Sequence, residues 1–167
     1  YLIEKASLES DIVHIFIVWE EKSSFPAEIR YHLVTQGTKH IQNVVVHKGG
    51  DYIISSATFP SYFIKEYQDV VRTHALLDLE VFSKHIAPAL GITKRFIGEE
   101  PYCKVTEAYN RVMKEVLRPK GIEVIEVPRL CTEGNAVSAS FVRSCLREGD
   151  ICKIKKYVPK STYDFLL

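Results

Sequence analysis

The stretch Asp11–Glu20, DIVHIFIVWE, constrains the fold of this chain more than any other. Its nearly continuous run of β-branched and aromatic residues is typical of a strand buried on both faces, as in a parallel sheet. Three further segments have a similar apolar character and are also predicted to be strands: QNVVVHKGG at 42–50, TKRFIG at 93–98 and IEVIEVP at 122–128.

Helical segments separate these strands. Pro26 suits the first turn of a helix that ends at Gly37, and Gly91 closes a longer helix over 68–90 that is bent at Pro88. Further helices are predicted to open at Pro60 (FPSYFIKEY) and to span 109–117, 140–148 and 151–157, while 52–58 is predicted to be irregular. This alternation predicts an α/β fold, one domain over residues 1–167 with a doubly wound parallel sheet.

The chain opens on a predicted helix, Tyr1–Glu9, that has no capping residue before it. A doubly wound sheet normally begins with a strand at its centre. The first strand of this sheet is therefore expected to lie upstream of Tyr1, in a longer protein of which the sequence is a fragment.

Composition argues against several classes of partner. The 22 basic and 21 acidic residues give a net charge of +1, which does not support a broad nucleic-acid or membrane surface. No apolar run approaches the ~20 residues of a membrane helix. The four cysteines form no C-x-x-C pair, so they are interpreted as free thiols of a reducing compartment, and the protein as cytoplasmic.

Ligands of open α/β sheets bind at the carboxyl ends of the strands, which selects the loops after Trp19, Val46, Ile97 and Val127. Near the first loop, Arg30 is either a solvated helix residue or a phosphate clamp. In the second loop, Gly49 and Gly50 allow close backbone approach, and His47 and Lys48 either meet an anion or belong to a plain turn.

The other two loops carry acids and hydroxyls. After Ile97, Glu99 or Glu100 could bind a ribose diol or hold Mg²⁺ through water, or form a solvated acidic turn. After Val127, the stretch VSASFVR places Ser138, Ser140 and Arg143 at a helix start. Ser138 or Ser140 could simply cap the helix, but hydroxyls, free amides and an arginine together also suit a β- or γ-phosphate.

Two other patterns have mainly structural interpretations. His74 and Asp78 are four residues apart, with His85 on the same helix, but no convincing third ligand accompanies them, so no metal site is predicted. The aromatic residues near the second loop are predicted to be core or pocket wall: Tyr52, Phe59, Tyr62 and Phe63. The glycine-rich phosphate-loop, dinucleotide and nucleophile-elbow motifs were not found.

Three long segments resemble the C-terminal catalytic domain of the citrate lyase ligases: GGDYIISSATFPSYFIK, FSKHIAPALGITKRFIGEEPYCKVTEAYN and VSASFVR. The resemblance extends over essentially the whole chain and implies a nucleotidylyltransferase-like fold. It implies a reaction in which ATP and acetate form acetyl adenylate and pyrophosphate. The acetyl group then passes to the phosphoribosyl-dephospho-coenzyme A thiol on the acyl carrier subunit of citrate lyase, which activates the lyase for citrate fermentation.

The resemblance also implies roles for individual residues. Ser138, Ser140 and Arg143 match the family's phosphate-binding turn, and Gly98 and Glu99 would lie near the ribose and adenine. Mg²⁺ is expected to bridge phosphate oxygens. Weaker candidates for the acetate or triphosphate end are Arg30, His47 and Lys65, and the ATFPSY loop is a candidate acetate pocket.

The family's T-x-G-H turn, expected just before the first helix, is not in this sequence, which leaves the activity of this fragment alone in question. Two other functions fit the residues. One is adenylyl transfer to a phosphate ester, as in pantetheine-phosphate adenylyltransferase, and the other is non-catalytic nucleotide binding.

Overall fold

The computed structural model of the protein describes residues 1–20, 23–60, 68–132 and 135–167. The first half contains α1 (Leu2–Leu8), β1 (Val13–Ile17), α2 (Ala27–Thr38), β2 (Val44–Lys48) and α3 (Gln68–Val81). A π-helical turn (Phe82–Ile86) continues α3 into α4 (Ala87–Leu90). The second half contains β3 (Lys94–Gly98), α5 (Lys104–Leu117), a 3-10 turn (Arg118–Lys120), β4 (Glu123–Val127), β5 (Cys131–Thr132), β6 (Asn135–Ala136), α6 (Ala139–Glu148), α7 (Ile151–Ile154) and α8 (Lys160–Leu166).

The four predicted strands form two parallel pairs. β1 pairs with β2, with Val13 opposite Val44, and β3 pairs with β4, with Lys94 opposite Glu123. The short strands β5 and β6 form an antiparallel hairpin. The α/β class with parallel strands is thus confirmed, and among the described residues the sheet is divided into a β2–β1 half and a β3–β4 half.

The main core lies where α3 and α5 pack together beside the second strand pair. Leu79, Met113 and Leu117 are among its fully buried side chains. The rest of this core consists of Phe59, Val71, Ala75, Phe82, Ala87, Ile97, Tyr109, Val112, Ile122 and Val124. Burial of these side chains stabilises the half of the fold that presents the carboxyl ends of β3 and β4.

Two predictions about β1 and Tyr52 need correction. Four of the five β1 residues are only half-buried, whereas the sequence pattern predicted burial on both faces. Only one edge of β1 is covered by a strand in the described chain, which accounts for the difference. Tyr52 is 68% exposed rather than core, while Phe59 is fully buried as predicted. The 52–58 segment is irregular, as predicted.

Helix ends differ from the predictions for local reasons. Gly37 lies inside the last turn of α2 and not at its C-cap, and Pro159 and Ser161 pack against it. Gly91 does close α4 in the left-handed conformation, with φ of 64°. The distortion predicted at Pro88 is the π-helical turn that precedes α4, because proline lacks an N–H and its ring crowds the carbonyl one turn earlier.

Three other helices also differ in length or were missed. α5 begins at Lys104, five residues before the predicted start, and α7 ends at Ile154 instead of reaching residue 157. The α8 helix, Lys160–Leu166, was not predicted. Pro60, where a further helix is predicted to open, is helical, and the rest of that predicted helix falls on 61–67, outside the described residues.

Candidate functional site

A cavity of about 330 Å³ lies at the carboxyl ends of β3 and β4, where the loop rule places a ligand. Its described lining includes Gly98 and Glu99 from the end of β3 and Val127 from the end of β4, together with Tyr1 from the chain start. The Gly98 carbonyl accepts a hydrogen bond from Asn110 Nδ2 at 3.2 Å. A Cβ added at Gly98 would meet nothing within 4 Å, so this position opens onto free space.

Arg129 organises one wall of this cavity and was not singled out from the sequence. Its Nη1 donates to Glu100 Oε1 at 3.0 Å, its Nε donates to the Val137 carbonyl at 3.3 Å, and its backbone N–H donates to Glu99 Oε2 at 3.3 Å. The guanidinium also lies 5.2 Å from the centre of the Tyr102 ring. Arg129 follows β4 by two residues, inside a loop that the strand-end rule had already selected, so that rule could have found it.

Glu100 connects the same wall to the start of α5. Its Oε1 accepts hydrogen bonds from the backbone N–H groups of Tyr102 and Cys103 as well as from Arg129. Burial by itself would raise the pKa of the Glu100 carboxyl, but these three donors hold it below its usual range. Glu100 is therefore a charged structural anchor, which leaves Glu99 as the acid with more freedom to meet a ligand.

The start of α6 adjoins this wall, because Val137 accepts from Arg129 and directly precedes Ser138. Ser138 is the N-cap residue, and its Oγ accepts the Phe141 N–H at 3.2 Å, so the capping interpretation of Ser138 is confirmed. Arg143 Nη2 lies 3.5 Å from Ser140 Oγ, and both side chains are exposed. The structure thus brings together the three predicted phosphate residues on one exposed helix start.

Arg30 reaches back from α2 to the end of β1, where it contacts backbone carbonyls. Its Nη1 donates to the Val18 carbonyl at 2.6 Å, its Nη2 to the Glu20 carbonyl at 2.5 Å and its Nε to the Phe25 carbonyl at 3.1 Å. These contacts hold the loop after β1 in place. A role of Arg30 toward phosphate stays a prediction.

His47 is engaged with another histidine across the β1–β2 pair. Its Nε2 lies 2.9 Å from His14 Nδ1, and its ring stacks on Phe16 with 5.0 Å between ring centres. Burial, together with the charge of His14, lowers the pKa of His47, which favours the neutral imidazole. Lys48 forms an ion pair with Glu28 at 2.7 Å. Binding of an anion by His47 stays a prediction, and Lys65 lies outside the described residues.

Gly49, directly after β2, lies against the backbone of β1. Gly49 donates its N–H to the Ile17 carbonyl at 2.8 Å, and a Cβ added at Gly49 would lie 2.5 Å from that oxygen. The close backbone approach predicted for this loop is therefore present at Gly49, and the backbone that Gly49 approaches is that of β1.

Asp78, considered above with His74 and His85 as a metal ligand, is instead buried at 1% exposure in a hydrogen-bonded network. Its Oδ1 accepts from the Ile54 N–H at 2.7 Å and from Thr58 Oγ1 at 2.9 Å, and its Oδ2 accepts from the Tyr109 hydroxyl at 2.6 Å. Within the described ranges, no three His, Cys, Asp or Glu side chains are grouped as metal ligands.

The Asp78 network fixes part of the loop that was predicted to form the acetate pocket. Ile54 has a positive φ of 45°, which is unusual for a β-branched residue. Its N–H is held by Asp78, and Thr58 in the ATFPSY stretch donates to the same oxygen. The last two residues of that stretch, 61–62, lie outside the described residues.

Comparison with known proteins identifies the family. The family model for the citrate lyase ligase C-terminal domain matches residues 1–166. The chain belongs to the citrate lyase ligase family. It is 42% identical over 171 residues to a citrate (pro-3S)-lyase ligase of Escherichia coli K12, covering 99% of this chain and 49% of that protein.

Two more relatives give the same picture. The citrate (pro-3S)-lyase ligase of Haemophilus influenzae is 42% identical over 172 residues, which cover 99% of this chain and 51% of that protein. The enzyme of the same name from Klebsiella pneumoniae is 42% identical over 171 residues, covering 100% of this chain and 50% of the relative. The chain thus spans about half the length of the citrate lyase ligases it matches.

Two further predictions concern cysteines and membranes. Cys103, Cys131, Cys145 and Cys152 are all free thiols, as predicted. None of the helices in the described part of the chain combines the length and apolar character needed to cross a membrane.

Proposed function

We propose that this chain is the nucleotide-binding part of an enzyme that uses ATP to acetylate a thiol on the acyl carrier subunit of citrate lyase. The observation that carries the proposal is the site at the carboxyl ends of β3 and β4. There, a cavity of about 330 Å³ adjoins a helix start that presents Ser138, Ser140 and Arg143. Membership in the citrate lyase ligase family supports the choice of reaction.

ATP binds with its phosphates at the start of α6 and its nucleoside in the cavity. Arg143 supplies a guanidinium that can grip phosphate oxygens with two parallel hydrogen bonds, and Ser140 supplies a hydroxyl. The first amides of α6 have no partner inside the helix, and the helix dipole favours an anion there. Gly98 leaves room for the nucleoside, and Glu99 accepts from a ribose hydroxyl.

Acetate is ionised at neutral pH, so the first step needs alignment and charge stabilisation more than a base. A carboxylate oxygen of acetate attacks the α-phosphorus of ATP, the bond to the β-phosphate oxygen breaks, and pyrophosphate leaves. Arg143, Ser140 and the α6 amides stabilise the charge that develops on pyrophosphate. Mg²⁺, carried by the nucleotide, supplies further neutralisation of the phosphate oxygens.

In the second step, the carrier thiol attacks the acetyl carbonyl, AMP leaves and the thiol proton passes to solvent. The thiol is the phosphoribosyl-dephospho-coenzyme A group of the carrier subunit. The ATFPSY loop, whose Thr58 donates to Asp78, is the candidate acetate pocket. The enzyme works in the cytoplasm, where its partners and its free cysteines meet a reducing environment.

ATP binding by the full-length protein tests the phosphate assignment. We expect Arg143→Ala to weaken ATP binding by at least about tenfold, equivalent to the loss of one charge-assisted hydrogen bond. Arg147 is the matched control, because it is an arginine on the same helix one turn further from its start. Equal ATP affinities for Arg143→Ala, Arg147→Ala and the parent protein would refute the assignment.

The product made from ATP distinguishes the proposed reaction from its alternatives. The account predicts AMP, pyrophosphate and an acetylated carrier when acetate and carrier are both present. Transfer of AMP to a phosphate ester such as phosphopantetheine, without any need for acetate, would indicate the adenylyltransferase alternative. ATP binding with no turnover of any acceptor would indicate a nucleotide-binding domain that is not catalytic.

A further inference from the structure

Positive charge is concentrated in the last part of the chain. Residues 143–160 contain six basic and two acidic side chains, whereas all the other residues together contain 16 basic and 19 acidic ones. The six basic side chains are all exposed: Arg143, Arg147, Lys153, Lys155, Lys156 and Lys160. A chain that is nearly neutral as a whole therefore has a local positive surface that begins at α6.

Ion pairs within the chain neutralise only part of this charge. Lys153 pairs with Asp150 at 2.7 Å, and Lys160 pairs with Asp164 at 2.5 Å. Glu148, the remaining acid of the segment, accepts a hydrogen bond from a serine hydroxyl one turn earlier at 2.9 Å. In the part of the chain that the structure describes, no carboxylate forms an ion pair with Arg143, Arg147 or Lys155.

The two arginines lie on the exposed side of α6. Residues four apart on a helix are neighbours on one face, so Arg147 follows Arg143 one turn further from the helix start. Cys145, midway between them in sequence, is buried on the opposite side of the helix. Both guanidinium groups are therefore available to an anion that approaches from solvent.

The chain after α6 folds back toward the start of that helix. The Tyr157 ring packs against Phe141 in the first turn of α6, with 4.8 Å between ring centres. Lys155 precedes Tyr157 by two residues, and its Nζ lies 5.9 Å from the centre of the Tyr163 ring. Lys155 thus belongs to a segment that is packed onto the helix start where the proposed function places the phosphates of ATP.

We propose that the positive surface formed by Arg147 and Lys155, next to Arg143, binds the phosphate groups of the prosthetic group on the acyl carrier subunit. The inference rests on the proposed function, in which this group is the second substrate. A guanidinium binds phosphate through two parallel hydrogen bonds, and an ammonium adds a compact positive charge. A few unpaired cations on a nearly neutral chain suit a small phosphorylated group better than a long nucleic acid.

The chemistry of the prosthetic group fits this position. Phosphoribosyl-dephospho-coenzyme A has its thiol at one end of the pantetheine arm and its phosphates at the other end. Arg147 lies about 6 Å further along the axis of α6 than Arg143, because each helical residue adds about 1.5 Å. Phosphates of the carrier therefore bind beyond the phosphates of ATP, and the arm leads the thiol back toward the acetyl adenylate.

Binding of dephospho-coenzyme A tests the surface without any turnover. The full-length protein is first saturated with a non-hydrolysable ATP analogue, so that the ATP site is filled, and binding is then measured by calorimetry. We expect Arg147→Ala combined with Lys155→Ala to weaken the binding of dephospho-coenzyme A at least about tenfold. The affinity for the ATP analogue should not change.

Two controls separate this effect from a general loss of positive charge. Arg118 is the matched control, because it is also exposed but lies in the turn that leads into the amino end of β4, at the other edge of the sheet. Pantetheine, which has no phosphate, should bind equally weakly to the parent and to the double variant. Unchanged affinity for dephospho-coenzyme A in the double variant, or an equal loss in Arg118→Ala, would overturn the proposal.

Kinetics with the carrier subunit distinguish failure of this proposal from failure of the proposed function. We expect the double variant to raise KM for the carrier at least about tenfold, while acetate-dependent pyrophosphate exchange, in which the carrier takes no part, stays at the parent rate. Normal exchange with an unchanged KM for the carrier would overturn the binding surface alone. Absence of exchange in the parent protein would refute the proposed reaction, and the binding of dephospho-coenzyme A would still decide the assignment of the surface.

Discussion

Replacement of Asp78 should destabilise the protein far more than replacement of an aspartate on the surface. The Asp78 carboxylate is fully enclosed and accepts hydrogen bonds from three donors: the Ile54 N–H, Thr58 Oγ1 and the Tyr109 hydroxyl. Burial, followed by the neighbouring carboxylate, raises the pKa of Tyr109, so its hydroxyl remains protonated and able to donate. Asp78→Ala removes the acceptor for all three donors at once.

The expected loss follows from these contacts. A buried donor without a partner lowers the free energy of unfolding by about 1–3 kcal/mol. Three such donors together would cost somewhat more than the loss of one partner from a buried hydrogen-bonded pair. Part of this cost is offset because no carboxylate has to be buried and water can enter the space left behind. We therefore expect Asp78→Ala to lower the free energy of unfolding by about 3–5 kcal/mol. Asp78→Asn keeps one acceptor oxygen and should cost about 1–2 kcal/mol.

Urea unfolding of the full-length protein, followed in the transition that includes this domain, measures the effect. The matched control is Asp164→Ala, since Asp164 is exposed and pairs with an exposed lysine one turn away, and it should change the free energy of unfolding by less than about 0.5 kcal/mol. A loss below about 1 kcal/mol for Asp78→Ala would show that the network does not hold this part of the fold.

Four further variants probe the site wall and the α6 start. Gly98→Ala should leave the free energy of unfolding unchanged, because an added Cβ meets no atom within 4 Å, but it should weaken ATP binding measured by calorimetry. Unchanged ATP affinity would contradict binding of the nucleoside next to Gly98. Ser138→Ala removes a helix cap and should lower the free energy of unfolding by about 1 kcal/mol in thermal or urea melts. Ser140→Ala should leave stability nearly unchanged, and equal losses for the two serines would contradict the capping assignment. Arg129→Ala should raise the pKa of Glu100, read by NMR titration. The lowered pKa of Glu100 stabilises the fold at pH values above about 4.3, the pKa of glutamate in an unfolded chain. This contribution is lost as the pH falls through the lower pKa of Glu100 in the folded protein. The difference in the free energy of unfolding between parent and Arg129→Ala should therefore narrow below about pH 4. A difference in the free energy of unfolding that does not change with pH would contradict this role of Arg129.

The four main strands could be predicted from the sequence because each is a continuous apolar run bounded by turn residues. β5 and β6 could not, since two-residue strands carry no periodic signal. The early start of α5 was hidden because its N-cap residue is Cys103, which is not a usual capping residue and makes no side-chain cap hydrogen bond. Pro159, the residue before α8, is a local signal for a helix start and could have been used.

Some features of the candidate site could likewise be predicted from the sequence, and others could not. The grouping of Ser138, Ser140 and Arg143 follows from spacing along one helix start, so the sequence was sufficient. The pairing of His47 with His14 depends on how β1 and β2 align in space, and the capture of Arg30 by three carbonyls depends on the path of a loop. Contacts of this kind come from tertiary structure and have no signature along the chain.

The most direct test of the proposed reaction is acetate-dependent exchange of labelled pyrophosphate into ATP by the full-length protein. The account predicts rapid exchange with acetate, little without an acid, and a loss of at least about tenfold in Arg143→Ala but not in Arg147→Ala. Exchange that proceeds equally without acetate, or that is unaffected by Arg143→Ala, would contradict the account.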